Sequence, residues 1–432
     1  INVAVMGIRN RGSRHIEGFA EVPNVRVTTL VDIDENLFAN RVRFTEELHG
    51  AAPATAHDLR RVCEDPAIDA IAMATPNHWH ALATVWACQA GKHVYVEKPV
   101  SHNLWEGRKM VEAARKYDRI VQVGTQSRSS QNVRDAIEFL HQGGLGEIYL
   151  ARGLCIKARP TIGHFPDGPS DRGPTEDQLF GYFPEMVMYP VDEAYLKNVH
   201  YDLWLGPAPQ RPFNRNRFHY NWHWQWDYGN GDIGNTGPHE FDIARWGLEK
   251  DEHPIKIRSM GGYYVFDSDQ ETPNTQSALY EYSDGKVLEF EVRGHFSNSE
   301  SDVNIGNIFY GSEGWMALDG GEWQTYFGRN NEPGPGSESG SPHPADPAPG
   351  SVQGGHFGNF IQAIRAHDRS LLTADIEVGH RSTALAHLAN VSYRVGRDVM
   401  FDGLAERFVD DTQADALLNR EYREPFVVPE RV

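Results

Sequence analysis

Residues Asn2–Gly12 read NVAVMGIRNRG, an apolar run that leads through a glycine turn into a helix-like segment. A glycine turn between a strand and a helix lets free backbone N–H groups at the helix N-terminus meet a pyrophosphate, as in dinucleotide-binding loops. Arg9 stands where such loops usually carry their middle glycine, so the motif alone is equally compatible with an ordinary tight turn. The loop residues expected to hold a dinucleotide are Gly7, Arg9, Asn10, Arg11 and Gly12.

Outward from this loop, residues 1–125 alternate short apolar runs with amphipathic segments. This alternation is typical of βαβ units around a buried parallel sheet, so we predict an α/β Rossmann domain over residues 1–125. Asp32 ends the second apolar run, where an acidic side chain binds ribose hydroxyls and repels a 2′-phosphate. Asp32 therefore favours NAD over NADP, with a turn or helix-cap aspartate as the alternative. The predicted strands are Asn2–Met6, Val25–Val31, Ala70–Ala74, His93–Val96 and Ile120–Val123.

The pattern changes near Gly146, where longer β-like segments are separated by turn signals such as Asp284-Gly285. We expect a second, α+β domain over residues 126–432 with a large, mainly antiparallel open sheet. Two segments rich in Pro and Gly, Arg159–His200 and Asn330–Gly355, are predicted to be long loops. The predicted strands include Glu147–Lys157, Ile255–Phe266, Gln276–Tyr282 and Lys286–Arg293, and the predicted helices are Phe357–His367 and Ala374–Val395.

The composition excludes several classes of partner. The chain of 432 residues carries 41 basic and 60 acidic side chains, a net charge of −19, which argues against binding to nucleic acid or an anionic membrane. No apolar stretch reaches the roughly 18 residues that span a bilayer. Its 3 cysteines, Cys63, Cys88 and Cys155, form no disulfide framework and no zinc spacing, so we expect no metal site. Because the chain begins at Ile1 without an initiator methionine, we expect its natural N-terminus to have been processed, cut or left out.

Two further motifs carry a family resemblance. Thr75–His80 reads TPNHWH and Gly91–Val100 reads GKHVYVEKPV, and with them the chain resembles the Gfo/Idh/MocA family of oxidoreductases, which includes glucose-fructose oxidoreductase and inositol dehydrogenase. The resemblance implies that Lys98 moves the substrate proton, that the peptide before Pro99 is cis, and that Glu97 holds the nicotinamide ribose. A lysine at the end of a parallel strand projects into the ligand crevice, where partial burial lowers its pKa. The other residues expected along the cofactor are Thr75, Asn77, His80 and Gln126.

Residues Gly229–Asp242 read GNGDIGNTGPHEFD and resemble the family's glycine-rich segment, in which an aspartate and a histidine four residues later face the substrate. The histidine is His239, but the aspartate position holds Asn235. An amide can bind substrate or water but cannot supply the negative charge that raises a histidine's basicity. Either Lys98 carries more of the proton transfer, or Asp232 or Asp242 takes the missing role.

An aromatic run precedes this segment. Residues Phe218–Tyr228 read FHYNWHWQWDY, with tryptophans at every second position, which predicts a half-buried strand. Aromatic faces also stack on pyranose rings, so Trp222 and Trp224 are candidate substrate-binding residues together with Asn235. Trp204 is a third candidate, because Tyr201–Pro207 resembles a segment of the sugar-acting branches of the family.

The preferred hypothesis is an NAD-dependent oxidoreductase that acts on a secondary hydroxyl of a sugar, cyclitol or glycoside, with Lys98 and His239 as proton-transfer groups. One alternative is an NAD-dependent glycoside hydrolase that works by transient oxidation, elimination and re-reduction. Another is a sensor of dinucleotide and sugar. The resemblance further implies a homodimer or homotetramer and a terminal helix, about 374–397, that packs back on the Rossmann domain. It leaves open a soluble bacterial-type protein of the cytoplasm or one exported in folded form to the periplasm.

Overall fold

A computed structural model describes residues 1–170, 191–337 and 353–432. The first unit is a parallel sheet with strand order β3-β2-β1-β4-β5-β6, which confirms the predicted Rossmann arrangement. The order reverses between β1 and β4, and the carboxyl ends of these strands open the crevice where such sheets bind ligands. The strands are β1 (Asn2–Met6), β2 (Arg26–Val31), β3 (Ala54–Ala56), β4 (Ala70–Met73), β5 (His93–Val96) and β6 (Val121–Val123).

Helices cover both faces of this sheet and bury its apolar strands. Helix α5 starts at the predicted cap, where Asn103 Oδ1 accepts a hydrogen bond of 2.9 Å from the backbone N–H of Glu106. The peptide between Lys98 and Pro99 is cis. The helices are α1 (Arg11–Ala20), α2 (Phe38–His49), α3 (Leu59–Glu64), α4 (Asn77–Gln89), α5 (Leu104–Lys116) and α6 (Gln131–His141).

The second unit is built on a ten-stranded sheet with the order β14-β13-β12-β11-β7-β10-β9-β8-β15-β16. Its neighbours are antiparallel except for the parallel pair β7 and β10, so the predicted mainly antiparallel sheet is confirmed. The strands are β7 (Ile148–Ile156), β8 (Lys256–Gly262), β9 (Thr275–Glu281), β10 (Val287–Arg293), β11 (Ile305–Gly311), β12 (Gly314–Asp319), β13 (Glu322–Phe327), β14 (Glu332–Gly336), β15 (Val399–Asp402) and β16 (Arg407–Phe408).

Helices of the second half pack on one face of this sheet, and two of them also reach the first unit. The helices are α7 (Glu193–Leu196), α8 (Tyr201–Leu205), α9 (Gly231–Asn235), α10 (Gly237–Gly247), α11 (Gly355–Ala366), α12 (Ile376–Val395) and α13 (Thr412–Asp415). Helix α11 places Phe360 in the apolar core that holds Ile16 and Phe19 of α1. Helix α12 lies against α5, and the backbone N–H of Val100 donates to Thr383 Oγ1 at 3.1 Å. Within the described residues, no helix has the length and apolarity needed to cross a bilayer.

The prediction of a strand over the aromatic run was wrong. Asn221–Trp224 forms a 3-10 helix between turns, and the run belongs to no strand. The chain bends here because Gln225 is anchored by its side chain, which donates to the Asp269 carbonyl at 2.7 Å. Of the two predicted loops, the first contains α7 and the second contains β14, whereas residues 171–190 and 338–352 lie outside the described residues.

Candidate active site

A cavity of about 470 Å³ opens at the carboxyl ends of β1 and β4 and extends to the second unit. One end is formed by the glycine loop and Asp32, and the other end by side chains from the large sheet and the segments that precede α10. The candidate residues that line it are Gly7, Arg9, Asn10, Arg11, Asp32, Thr75, Asn77, Glu97, Lys98, Trp204, Trp222, Asn235 and His239. The structure thus brings most of the sequence-predicted site residues into one crevice.

The glycine loop makes a close backbone approach that a larger residue would prevent. Gly7 has φ +82°, and a Cβ atom at Gly7 would lie 2.6 Å from the Ala74 carbonyl oxygen. A Cβ atom at Gly12 would lie 2.0 Å from the Gly7 carbonyl oxygen. Helix α1 begins directly after the loop, and the side chain of its N-cap residue, Asn10, makes no capping hydrogen bond to the first turn. This cradle fits the pyrophosphate of a dinucleotide.

Asp32 lies at the end of β2 with its carboxylate turned toward the loop. One oxygen accepts from the backbone N–H of Ile8 at 2.8 Å, and the other accepts from that of Asp34 at 3.0 Å. Burial raises the pKa of Asp32 to about 6, so the carboxylate is ionised at neutral pH. Since each carboxylate oxygen has a second lone pair, both remain able to accept from ribose hydroxyls.

The loop after β4 presents polar atoms that find no partner in the part of the chain the structure describes. Thr75 Oγ1 and Asn77 Oδ1 are buried and unbonded there, while Asn77 Nδ2 donates to Asn230 Oδ1 at 2.9 Å. Both unbonded atoms belong to residues that line the cavity, where a dinucleotide would satisfy them.

Four of the predicted residues lie outside the cavity lining: Gly12, His80, Gln126 and Trp224. The ring nitrogens of His80 lie 2.8 Å from the Pro99 carbonyl oxygen and 2.9 Å from that of Thr75. This ring therefore links the loop after β5 to the loop after β4. Gln126 donates to Tyr95 Oη at 3.0 Å and to Glu97 Oε1 at 3.3 Å. The guanidinium of Arg159 lies 5.1 Å from the ring centre of Trp224, which packs beneath the site.

Glu97 is a buried anion held by several donors. Its Oε1 accepts from Arg11 Nε at 2.6 Å and lies 3.0 Å from His15 Nε2. Burial alone would raise the pKa of Glu97, but the Arg11 charge and the hydrogen bond with His15 hold it well below its ordinary value. Glu97 thus keeps a fixed negative charge beside Lys98.

Lys98 projects from the end of β5 into the centre of the cavity. Its Nζ donates to the Asn235 carbonyl oxygen at 2.6 Å and to Asn235 Oδ1 at 3.3 Å. Burial lowers the pKa of Lys98 to about 8, with Glu97 acting in the opposite direction. An amine with this pKa exchanges its proton readily near neutral pH, which suits acid–base catalysis.

His239 has no carboxylate partner among the described residues. Its Nδ1 is buried and unbonded, and burial together with the Lys98 charge lowers its pKa to about 3. Asp232 is paired with Arg159 at 2.7 Å, and Asp242 is paired with Arg128 at 2.6 Å. Each aspartate that could have replaced the missing carboxylate therefore forms an ion pair with an arginine, and Asn235 contacts Lys98 rather than His239.

Sequence reasoning missed several residues of this cavity. Tyr220, His223, Lys157 and Ile305 line its end near Lys98, and His57 and His219 line the other end. His219 Nε2 lies 3.2 Å from Asp34, which also accepts a hydrogen bond from Tyr195. Of these residues, His219, Tyr220 and His223 belong to the aromatic run, in which the sequence pointed to the tryptophans as the sugar-binding residues. Lys157, Ile305 and His57 stand in no motif.

Comparisons with known proteins agree with this geometry. The Gfo/Idh/MocA profile described as an oxidoreductase family with an NAD-binding Rossmann fold matches residues 1–125. The profile of the same family's C-terminal alpha/beta domain matches residues 189–300 and 347–428.

Curated relatives match the chain over a limited stretch. Levoglucosan dehydrogenase of Pseudarthrobacter phenanthrenivorans is 28% identical over 161 residues, which are 36% of this chain and 40% of that protein. A glycosyl hydrolase family 109 protein of Streptomyces niveus is 29% identical over 157 residues, 35% of this chain and 32% of that protein. The matched stretch is thus less than half the length of either relative.

A solved structure shares the fold over almost the whole chain. Levoglucosan dehydrogenase in complex with NADH and levoglucosan superposes with a TM-score of 0.68 at 17% identity, covering 93% of this chain and 99% of that one.

Proposed function

Because this chain belongs to the Gfo/Idh/MocA oxidoreductase family, we propose that it oxidises or reduces a secondary hydroxyl of a sugar, cyclitol or glycoside. The observation that carries this proposal is Lys98, whose amine stands between the dinucleotide loop and the second unit with its pKa lowered to about 8. Relatives named as levoglucosan and inositol dehydrogenases support the choice of substrate class.

The residues at the loop end fit NAD. Gly7, Arg9, Asn10, Arg11 and Gly12 would surround its pyrophosphate and Asp32 its adenosine ribose, while Thr75, Asn77 and Glu97 lie farther along the same crevice. NAD supplies a hydride acceptor in one direction and, in its reduced form, a hydride donor in the other.

Side chains of this protein transfer the proton of the reacting hydroxyl. In the oxidation direction, the neutral amine of Lys98 takes the proton of the reacting hydroxyl, and Asn235 holds the resulting ammonium through its two oxygens. His239 stays neutral because its pKa is about 3, so it serves to orient the substrate rather than to store a proton. In the reverse direction, the Lys98 ammonium returns the proton to the new alkoxide.

A redox-assisted glycoside hydrolase is a second candidate function. It is supported by the matches to several glycosyl hydrolase family 109 proteins and by Tyr220 and His223, which supply polar groups beyond those that one hydride transfer needs. Such an enzyme would return the hydride to its substrate after cleavage, so NADH would not accumulate.

The experiment that tests both candidates follows NADH and released aglycone together. Purified protein is incubated with NAD and with levoglucosan, myo-inositol or chromogenic aryl glycosides. We expect NADH to form without aglycone. Release of aglycone without net NADH would favour the hydrolase, and NAD binding with neither product would favour the sensor.

The Lys98→Met variant tests the proposed proton carrier. It should lower kcat by at least about 100-fold, because general acid–base groups contribute 10²–10⁴-fold. NAD affinity should stay unchanged. Lys197→Met, at an exposed position outside the cavity, is the matched control. An active Lys98→Met enzyme would contradict the assignment.

We also propose that the chain assembles as a homodimer or homotetramer through the large sheet. Met260, Leu279 and Met400 are exposed apolar side chains of neighbouring strands β8, β9 and β15, which would be covered by a second copy. Sedimentation of the purified protein measures this directly, and a monomer at all concentrations would refute it.

A further inference from the structure

Tyr220 and His223 line the cavity near Lys98, and the proton transfer proposed above uses neither of them. Tyr220 directly precedes the 3-10 helix Asn221–Trp224 and His223 lies within it, and this helix precedes the glycine-rich segment of the site. A fixed pair of polar groups facing a reacting centre is what a polyol needs to be held in one orientation.

The tautomer of His223 is set by its own backbone surroundings. Its Nδ1 lies 2.6 Å from the Tyr220 carbonyl oxygen, and a carbonyl only accepts, so Nδ1 carries the hydrogen. In the neutral ring, Nε2 then holds a lone pair, and the hydrogen bond of this ring within the described residues is made by Nδ1. The ring is stacked on Trp222 at a centroid distance of 3.6 Å, which fixes its plane.

The imidazole of His223 stays neutral at physiological pH. Burial lowers its pKa to about 3, and the positive charges of Lys98 and Arg159 act in the same direction, against the hydrogen bond to the Tyr220 carbonyl. A ring with so low a pKa is a poor proton carrier but a permanent hydrogen-bond acceptor. This separates its role from that of Lys98.

Tyr220 supplies the complementary donor. Its hydroxyl oxygen accepts from Arg159 Nη1 at 3.3 Å, and Arg159 is itself held by Asp232 at 2.7 Å. Because a guanidinium has no acceptor atom, the hydroxyl hydrogen of Tyr220 has to point away from Arg159. The tyrosine side chain lines the cavity, so this hydrogen is available to a ligand there.

We propose that His223 and Tyr220 form a hydroxyl-recognition subsite that orients the substrate against Lys98. His223 Nε2 accepts a hydrogen bond from one substrate hydroxyl, and Tyr220 donates to a neighbouring oxygen. The ligand class is a polyol face with at least two adjacent oxygens beside the carbon that reacts. The inference rests on the proposed sugar oxidoreductase function and assigns its substrate-orienting residues.

The variant His223→Phe keeps a flat ring for Trp222 but removes the acceptor, and His223→Gln restores an acceptor oxygen. With NAD and whichever of levoglucosan and myo-inositol is oxidised, His223→Phe should raise KM about tenfold or more, since a neutral hydrogen bond is worth about that factor. His223→Gln should recover most of the loss. The pH dependence of kcat should not move, because Lys98 still carries the proton.

His141→Phe is the matched control, because His141 at the end of α6 is exposed and lies outside the cavity. Circular dichroism and NAD affinity verify that each variant is folded. An unchanged KM in His223→Phe would overturn the subsite. A large loss of kcat with an altered pH profile would overturn it in favour of a proton-transfer role for His223.

Nitrogen NMR of the histidines gives a readout that does not depend on turnover. The proposal expects a His223 ring with its hydrogen on Nδ1 and no titration between about pH 6 and 8. A hydrogen on Nε2, or titration in that range, would overturn it. A sugar that shifts the Nε2 resonance without forming NADH would refute the proposed function and leave the subsite standing. NADH formation without any effect on Nε2 would refute the subsite alone.

Discussion

At the scale of single residues, the acid–base behaviour of Lys98 depends on the neutral partner at position 235. Asn235 accepts from the Lys98 ammonium through two oxygens without adding a negative charge. The side-chain oxygen of Asn235 lies 3.3 Å from Nζ, so Asn235→Asp would place a carboxylate against the amine. An opposite charge at that distance stabilises the ammonium and raises its pKa above about 8.

The sign of the effect follows from the direction of the reaction. Oxidation needs the neutral amine, so in Asn235→Asp the midpoint of the pH profile of kcat/KM should move upward, and activity near neutral pH should fall. Asn235→Ser, which removes the side-chain amide without adding charge, is the control and should leave the midpoint near that of the wild type. An Asp variant with an unchanged or lowered midpoint would contradict the role of Lys98.

Residues in contiguous motifs could be predicted from the sequence, and residues placed by distant contacts could not. Gly7, Asp32 and Lys98 each stand next to a strand end, where the parallel sheet fixes their direction. His223 and Tyr220 face the cavity because Gln225 bonds to Asp269 and Arg159 bonds to Asp232, and neither contact is visible in the local pattern.

At the scale of elements, Gly229 closes the turn that holds the 3-10 helix Asn221–Trp224. Its N–H donates to the Gln225 carbonyl at 2.8 Å, and a Cβ atom there would lie 2.5 Å from the His223 carbonyl oxygen. These neighbours are backbone atoms that cannot move alone. Gly229→Ala should therefore lower the free energy of unfolding by about 1–3 kcal/mol, the usual cost of overpacking, and weaken sugar binding more than NAD binding.

Gly285→Ala serves as the control for Gly229→Ala. Gly285 has φ +84° with open space around its Cβ position, so an alanine there would introduce backbone strain of about 1–2 kcal/mol but no steric clash. Gly285 lies in a hairpin turn outside the cavity lining. Urea unfolding and titration with sugar and NAD measure both variants. If Gly229→Ala weakened NAD binding and sugar binding equally, the turn would have no specific effect on the position of His223.

In the first sheet, strands that contain an apolar run were predictable, and the strand without one was not. Five of the six first-sheet strands begin and end within about one residue of their predicted limits, because these five are largely buried apolar runs. The three-residue strand Ala54–Ala56 lacks such a run and lies at the sheet edge, so it was missed. β8 ends at Gly262 rather than Phe266, because the backbone N–H and carbonyl of Tyr264 form hydrogen bonds with the side chain of Asn274.

At the scale of the whole molecule, the two units are joined by segments that are distant in sequence. Helices α11 and α12 lie in the chain between strands β14 and β15 of the large sheet, yet α11 contributes to the core of the first unit and α12 packs on α5. The division at residue 125 stays a prediction, because it is a boundary in sequence whereas these contacts are interleaved. Arg108 of α5 forms two ion pairs with residues from the second half of the chain, Glu377 at 3.0 Å and Glu406 at 2.7 Å.

Glu406 is the centre of this link, which makes it a test of how the units depend on each other. Its Oε1 also lies 3.0 Å from His253 Nε2 and 2.8 Å from His380 Nε2. Burial alone would raise the pKa of Glu406, but the two histidines and Arg108 hold it far below the ordinary 4.5. A carboxylate with a lowered pKa contributes stability above its unfolded pKa, and that stability is lost as the pH falls below about 4.5.

Glu406→Gln should therefore lower the free energy of unfolding by about 2–3 kcal/mol at neutral pH, because it leaves Arg108 and two histidines without their shared anion. The difference from wild type should shrink as the pH falls below about 4.5, where the wild-type carboxyl begins to lose its advantage. Glu17→Gln removes the partner of an exposed pair with Arg14 and should cost less than about 1 kcal/mol. Urea unfolding at several pH values measures both variants, and a Glu406→Gln protein as stable as wild type at neutral pH would show that apolar packing alone holds the two units together.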